Sequence, residues 1–365
     1  MNTASQHLWL ALSPHGYGHA AMTAAVVDDL RRRRPGLRLT IQTALPRALL
    51  AARYREPFAH VADIPDFGLR MLSATVIDIE ASAAAYRALH ADWPGVVGAE
   101  AARLRAAAPD LVLANVPYAS LAAAEAAGIP AVGLSCLNWA DIYIRYFSGR
   151  PEAAAITATM RRAYEGARVF LRPAPAIEMS LANGRDIGPV GRPGNDRGDA
   201  MRAALGVGEG VSVGLIAFGG VDHDLALDCW PSIPGWHWMT TVDTPSGRHD
   251  MSRWERTGLA FADLIASATV VVSKPGYGTF TESAFAGTPV AYVPRPNWPE
   301  SPHLDRWLAR NGRCREVQPA ELLSPDLAGL LSELVSAPAP PPPQPTGNAE
   351  AVAVLEAILD DCGRS

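Results

Sequence analysis

Short apolar runs recur through the first half of the chain, at Leu8 to Leu12, Leu37 to Ile41, Leu111 to Ala114, Ala131 to Leu134 and Val169 to Leu171, with Ala-rich stretches of helical spacing between them. Runs of this length read as strands buried on both faces, and their alternation with helices predicts a mainly parallel sheet. The first helical stretch places Thr23, Val26, Val27 and Leu30 on one face, and a long helix is predicted near 80 to 107. From Arg172 to Arg197 the chain turns rich in Pro, Gly and Asn, which reads as a connection between domains. The alternation then restarts, with strands predicted at 211–218, 236–241, 269–272, 290–293 and 314–317 and helices near 261–267, 279–286, 303–310 and 319–334. A polyproline-like spacer, Pro338 to Pro345, precedes a final helix at Asn348 to Asp361, with Asn348 as its N-cap and Val352, Leu355 and Leu359 on one face. A stiff spacer before an amphipathic helix predicts that the chain end docks back on the first domain.

At 365 residues the chain exceeds the size at which one hydrophobic core stops growing. The pattern divides it into a first domain at 1–175, a linker at 176–197, a second domain at 198–337, a spacer at 338–347 and a returning helix at 348–365. An apolar fraction of 48% with 19% charged residues describes a globular protein rather than a disordered or membrane one. The polar start and the shortness of the first apolar run predict neither a signal peptide nor a membrane span, hence a cytoplasmic location. A net charge of −5 argues against a nucleic-acid partner. The local exception, Arg31 to Arg34, closes the first helix before Pro35-Gly36, where cations complement the helix dipole. Cys136, Cys229, Cys314 and Cys362 lie too far apart for a zinc or redox motif and read as reduced thiols.

Two glycine-rich loops carry the candidate chemistry. His15-Gly16-Tyr17-Gly18-His19 follows the first apolar run, and Ser273-Lys274-Pro275-Gly276-Tyr277-Gly278-Thr279 follows Val270-Val271-Val272, so each sits where a strand gives way to a helix. Open α/β sheets bind ligands at that point. Glycine lets the backbone approach a ligand closely, and a helix N-terminus favours an anion such as phosphate. Two such loops in two halves suggest one ligand held between two sheets.

Two Rossmann-like domains facing across a cleft, with a C-terminal helix returning to the first, make up the α/β GT-B fold of nucleotide-sugar glycosyltransferases. The segment Ser273 to Glu282, followed by Ala286-Gly287-Thr288-Pro289, resembles the donor-binding segment of that superfamily. A closer similarity spans nearly the whole chain. His15-Gly16-Tyr17-Gly18-His19-Ala20, Leu134 to Tyr143, Phe218-Gly219-Gly220, Gly276-Tyr277-Gly278-Thr279 and Glu300-Ser301-Pro302-His303-Leu304 resemble the N-terminal glycosyltransferase-like region of plant L-arabinokinases and its stand-alone bacterial relatives. The sugar-kinase domain that follows in those plant proteins has no counterpart in this sequence, so kinase activity is not carried over.

The resemblance implies a nucleotide-sugar-dependent glycosyltransferase. A UDP or dTDP sugar would be the donor and a small-molecule, glycan or lipid-linked hydroxyl the acceptor, with inversion, no cofactor and no metal. Loop residues Gly276, Tyr277, Gly278 and Thr279 would hold the diphosphate through backbone amides, Glu282 would bind ribose hydroxyls, and Gly219 and Gly220 would lie beside the phosphates. Lys274 could neutralise diphosphate charge, while Asn297, Glu300 and His303 would face the donor sugar. Asp222, Asp224 and Asp228, with His223 between them, read as helix-start carboxylates rather than metal ligands.

His19 stands where inverting members carry the histidine that deprotonates the acceptor, a role suited to a neutral imidazole; the competing reading is a helix cap. The rest of the first loop, His15, Gly16, Tyr17 and Gly18, together with Asn138 and Trp139, would contact the acceptor, although His15 can equally brace the loop and Trp139 can equally be core. The resemblance also implies an aspartate partner for the histidine, and this chain has Asn115 there. Three readings follow: Asp141 substitutes, the base is weakened, or the acceptor needs little activation. Two other functions remain open beside the transferase, a sugar-nucleotide epimerase and a non-catalytic nucleotide-sugar-binding protein.

Overall fold

The computed structural model describes residues 6–73, 76–218 and 226–362. It divides into two units, one running to Val190 and taking in the last helix of the chain, the other spanning Gly191–Pro345. The first unit contains β1 (His7–Leu12), α1 (Tyr17–Arg33), β2 (Arg38–Gln42), α2 (Arg47–Ala51), β3 (Ala59–Val61), α3 (Ile79–Ala91), α4 (Trp93–Ala107), β4 (Leu111–Asn115), α5 (Tyr118–Ala127), β5 (Ala131–Leu134), α6 (Trp139–Phe147), α7 (Ala153–Glu165), β6 (Val169–Pro173) and β7 (Gly184–Ile187). Its seven strands are all parallel, in the order β3-β2-β1-β4-β5-β6-β7. The order reverses between β1 and β4, which opens a crevice at their carboxyl ends. In register, Leu12 lies opposite Asn115, and the Ser13 N–H extends the ladder to the Asn115 carbonyl at 2.8 Å.

The second unit continues with α8 (Gly198–Leu205), β8 (Ser212–Ala217), β9 (Trp236–Thr240), β10 (Met251–Arg253), α9 (Phe261–Ser267), β11 (Val270–Ser273), α10 (Tyr277–Ala286), β12 (Val290–Tyr292), α11 (Ser301–Asn311), β13 (Cys314–Glu316), α12 (Pro319–Leu322) and α13 (Leu327–Ser336). Its six parallel strands run β10-β9-β8-β11-β12-β13, and the order reverses between β8 and β11. Ser273 lies opposite Ala217 there, and its hydroxyl donates to the Ala217 carbonyl at 2.7 Å.

The last helix, α14 (Thr346–Cys362), packs on α1 within the first unit, so the chain end returns as the pattern predicts. Val352, Leu355 and Leu359 are fully buried. Each such side chain stabilises by about 1.5–3 kcal/mol on burial, whereas an exposed ion pair contributes about 1 kcal/mol or less. The apolar face therefore holds the helix, and the basic run at the end of α1 sets its register. Arg33 meets Glu356 at 3.2 Å, Arg34 pairs with Asp360, and the Gln6 amide donates to the Leu359 carbonyl at 2.7 Å. Arg31 to Arg34 are thus committed to α14 and to neighbouring carbonyls and carboxylates rather than presented as a free charged patch.

Several local expectations change. The helix near 80–107 is two helices: Asp92 breaks it and accepts from the Gly95 N–H at 3.1 Å, with Pro94 in the first turn of α4. The helix at 319–334 is likewise divided into α12 and α13 around Pro325. Asn348 is not an N-cap; α14 begins at Thr346 and Asn348 is buried within its first turn. Strands β3, β7 and β10 are short and lie at or next to sheet edges, where a half-exposed strand lacks the continuous apolar signature. One of them, β7, falls inside the stretch 176–197 that composition marks as a linker.

Candidate active site

In the first unit the histidine loop leaves β1 at the strand-order reversal and enters α1 at Tyr17. His19, two residues into the helix, brings Nδ1 to 2.6 Å from Asn115 Oδ1. Asn115 ends β4 and is fully buried; its amide nitrogen is turned to Met22 Sδ at 3.2 Å, which points the carbonyl oxygen at the imidazole. An amide oxygen only accepts, so Nδ1 is the donor in this bond. Asp141 does not take the partner's place. Its Oδ2 accepts from the Asn138 amide at 2.7 Å and its Oδ1 meets Arg161 at 3.1 Å, and Asn138 caps α6 by accepting the Asp141 N–H. Asn138 and Asp141 thus form the start of a helix, and Asn115 is the group that orients His19.

Trp139 is fully buried, so it serves as packed core rather than as an open platform. Its ring stands edge-on to His15 at 5.2 Å and tilted to His19 at 6.1 Å, forming a rigid wall behind both. The Tyr164 hydroxyl holds the residue that carries that wall: it accepts the Trp139 backbone N–H at 3.0 Å and donates to the Val116 carbonyl at 2.9 Å. His15 braces the loop, with Nδ1 accepting the Leu69 N–H at 3.3 Å. Tyr17 is exposed at the head of α1.

Neither Gly16 nor Gly18 is required by packing, because a Cβ on either would meet nothing within 4 Å. Gly16 is also extended, at φ 170°, and as N-cap of α1 it offers no side-chain bond to the first turn. The second unit repeats this construction. Gly276 caps α10 at φ −162°, again with no side-chain cap, and a Cβ there would meet only the Lys274 carbonyl at 3.9 Å. Helices α3, α4 and α6, by contrast, are capped by Asp78, Asp92 and Asn138. At both glycine loops the first turn of the helix is without a side-chain cap at its positive end, and a Cβ on the capping glycine would meet no side chain within 4 Å.

Tyr277 and Glu282 of α10 are buried, Glu282 at 3% exposure, whereas Gly278 and Thr279 are half-exposed at the loop. Lys274 is partly buried; burial first, then the nearby Arg295 charge, brings its ammonium down to about 8, with Glu300 opposing. Glu300 is buried and accepts the Trp298 indole N–H at 3.1 Å, and the Arg295 guanidinium lies 4.8 Å over the Trp298 ring. Asn297 is exposed, and His303 approaches Arg306 at 3.4 Å. Gly219 and Gly220 lie outside the described residues, as do Asp222, His223 and Asp224. Among the described residues there is no cluster of three or more metal-ligating side chains.

Two residues escaped the sequence reading. Arg295, between Pro294 and Pro296 just after β12, had only its loop position as a signal. Asp66 is a carboxyl at 7% exposure behind Trp139, in a loop whose Pro65-Asp66-Phe67-Gly68 sequence reads as an ordinary turn.

Comparison with known proteins bears on this geometry. No family model matches the chain. A solved glycosyltransferase of kitacinnamycin is 17% identical and superposes with a TM-score of 0.59 over 99% of this chain and 96% of its own. The fold is that of the GT-B glycosyltransferases. The same fold extends to a structure described as a UDP-N-acetylglucosamine 2-epimerase from Listeria monocytogenes, with TM-score 0.57, 11% identity, and coverage of 99% of this chain and 98% of that one. In sequence the chain is similar to L-arabinokinase of Arabidopsis thaliana, 24% identical over 323 residues, which is 84% of this chain and 30% of that protein. The chain thus spans under a third of that relative. No helix among the described residues is long and apolar enough to cross a membrane.

Proposed function

We propose that the protein is an inverting glycosyltransferase that moves a sugar from a nucleotide diphosphate donor, of UDP or dTDP type, to an acceptor hydroxyl or similar nucleophile. The observation that carries this reading is the 2.6 Å contact between His19 Nδ1 and Asn115 Oδ1 at a strand-order reversal, which leaves Nε2 as the proton acceptor. The acceptor O–H proton passes to Nε2 while its oxygen forms a bond to the anomeric carbon, and the sugar–diphosphate C–O bond breaks with its electron pair leaving on the diphosphate. The uncapped first turn of α10 and the Lys274 ammonium supply the positive field for that leaving group, and Glu282 supplies the carboxylate for ribose. Asn115 orients the imidazole without the negative charge that would stabilise its cation, so the base works without a charged partner at that position.

A panel of nucleotide sugars tests this directly. Slow release of nucleoside diphosphate supports transfer; interconversion of sugars would instead support the epimerase reading that the Listeria structure raises, and thermal stabilisation without turnover a binding protein. His19→Ala is expected to abolish turnover while leaving donor binding nearly intact. Equal loss of both would remove His19 from the acceptor chemistry.

A further inference from the structure

The carboxyl of Asp66 is buried near the aromatic side chains of Tyr86, Tyr118, Trp139 and Tyr164. Ser13 from the histidine loop and Trp139 from α6 are the polar side chains turned toward it. The hydroxyls of Tyr86 of α3, Tyr118 of α5 and Tyr164 of α7 are close enough to feel its charge, and each is held toward its neutral form. Among the described residues, Asp66 Oδ2 and Trp139 Nε1 are both buried without a hydrogen bond. A buried acceptor facing a buried donor is costly to leave unmade, and the cost falls most heavily on an ionised carboxyl. Burial accordingly lifts the Asp66 carboxyl to about 7, against the pull of Ser13 and Trp139.

These neighbours are the supports of the two histidines. The Ser13 hydroxyl also accepts the His15 N–H at 3.4 Å, and the Trp139 ring is the wall behind His15 and His19. Two residues past Asp66, Gly68 sits at φ +63° with its backbone so close that a Cβ would come within 2.7 Å of the Trp139 ring and 2.8 Å of the His15 ring. The Tyr86 hydroxyl donates to the Gly68 carbonyl at 2.7 Å and the Leu69 N–H to His15 Nδ1. The segment that follows Asp66 is thus held against His15 and Trp139 and tied to α3.

We propose that Asp66 is a positioning residue of the base site, acting through the Trp139 indole and the Ser13 hydroxyl to set the placement of His15 and His19. When Asp66 loses its proton, both oxygens accept and draw the two donors inward; when it is protonated that pull is relaxed. The histidine geometry then follows the proton on Asp66 across neutral pH. The kinetic arm of the test rests on the reading of His19 as base, while the spectroscopic arm does not.

In ¹⁵N–¹H spectra of the full chain, the Trp139 indole cross-peak, assigned through Trp139→Phe, is expected to shift with one inflection between pH 6 and 8, and that inflection is expected to vanish in Asp66→Asn. In donor turnover, Asp66→Asn is expected to lower kcat between tenfold and roughly a hundredfold with donor KM unchanged, and to remove an inflection near pH 7 from the rate profile. An indole peak that does not move across this range, or an Asp66 carboxyl carbon that titrates near the ordinary value of about 4, overturns the proposal in the unaltered protein, whether or not the variant folds. A folded Asp66→Asn with the parent's kcat and pH profile overturns it as well. Absence of turnover in the parent counts against the glycosyltransferase reading alone, and the indole titration then decides the role of Asp66.

Discussion

Replacing Asn115 by aspartate restores the charge that the base site lacks, and its effect follows from one contact. Asn115 Oδ1 accepts from His19 Nδ1 at 2.6 Å in a neutral hydrogen bond. A neutral bond contributes about 0.5–1.5 kcal/mol and one to a charged group about 1.5–3 kcal/mol, so a carboxylate adds roughly 1–1.5 kcal/mol in favour of the imidazolium. At 1.36 kcal/mol per factor of ten, proton transfer to Nε2 should accelerate about tenfold, and the ring's titration midpoint should rise by about one unit. Burial opposes this, since residue 115 is fully buried and the variant loses the amide contact to Met22 Sδ, but the imidazolium at contact distance is the stronger influence on a carboxylate placed there. The assay pairs kcat/KM for nucleotide-sugar turnover with ¹⁵N NMR titration of the His19 ring. A folded Asn115→Asp that is no faster, and whose His19 ring titrates where the parent's does, would refute the reasoning that residue 115 tunes a catalytic His19.

Gly276→Ala places a methyl where only the Lys274 carbonyl lies, at 3.9 Å, on backbone that any residue adopts, so stability should change by no more than about 1 kcal/mol. Nucleoside diphosphate affinity, read by calorimetry, should nevertheless fall severalfold; unchanged affinity would remove the α10 loop from the donor site. Lys274→Met should weaken the same binding by roughly tenfold or more. Because the Lys274 ammonium is brought down to about 8, the parent's affinity should itself decline as pH rises through that value, and the methionine variant should be flat there. Asp66 gives a stability test with a definite sign. Its folded-state carboxyl is raised from 3.8 to about 7, so the folded chain holds a proton that the unfolded chain has lost, and stability should fall as pH rises from 4 to 7. Asp66→Asn should remove that fall, gaining up to about 4 kcal/mol over the parent at pH 8 and little at pH 4, as read by urea unfolding.

Much of this was legible in the chain itself. The central strands β1, β4, β8 and β11 are apolar on both faces, and a continuous apolar run bounded by glycine survives in one dimension. So do the two loops that end β1 and β11, and the returning α14, whose buried Val352, Leu355 and Leu359 follow helical spacing. Edge strands such as β7 did not show, because Gly184-Arg185-Asp186-Ile187 is polar and gains its pairing only from a neighbour distant in sequence. Breaks within helices, at Asp92 and Pro325, were masked by helix-forming residues on either side.

The site divides in the same way. Residue type and position along the chain determined that His19 and the glycine loops stand at strand-to-helix junctions and that Glu282 follows one within α10, since each junction is local. Partnership is not local. That His19 meets Asn115 while Asp141 turns to Asn138 and Arg161 was decided by the register of β1 against β4 and by the capping of α6. That Asp66 sits as a buried carboxyl beneath the histidine loop, and Arg295 beside Lys274, was decided by packing alone, because burial and the company of other charges are properties of three-dimensional proximity that no spacing along the chain encodes.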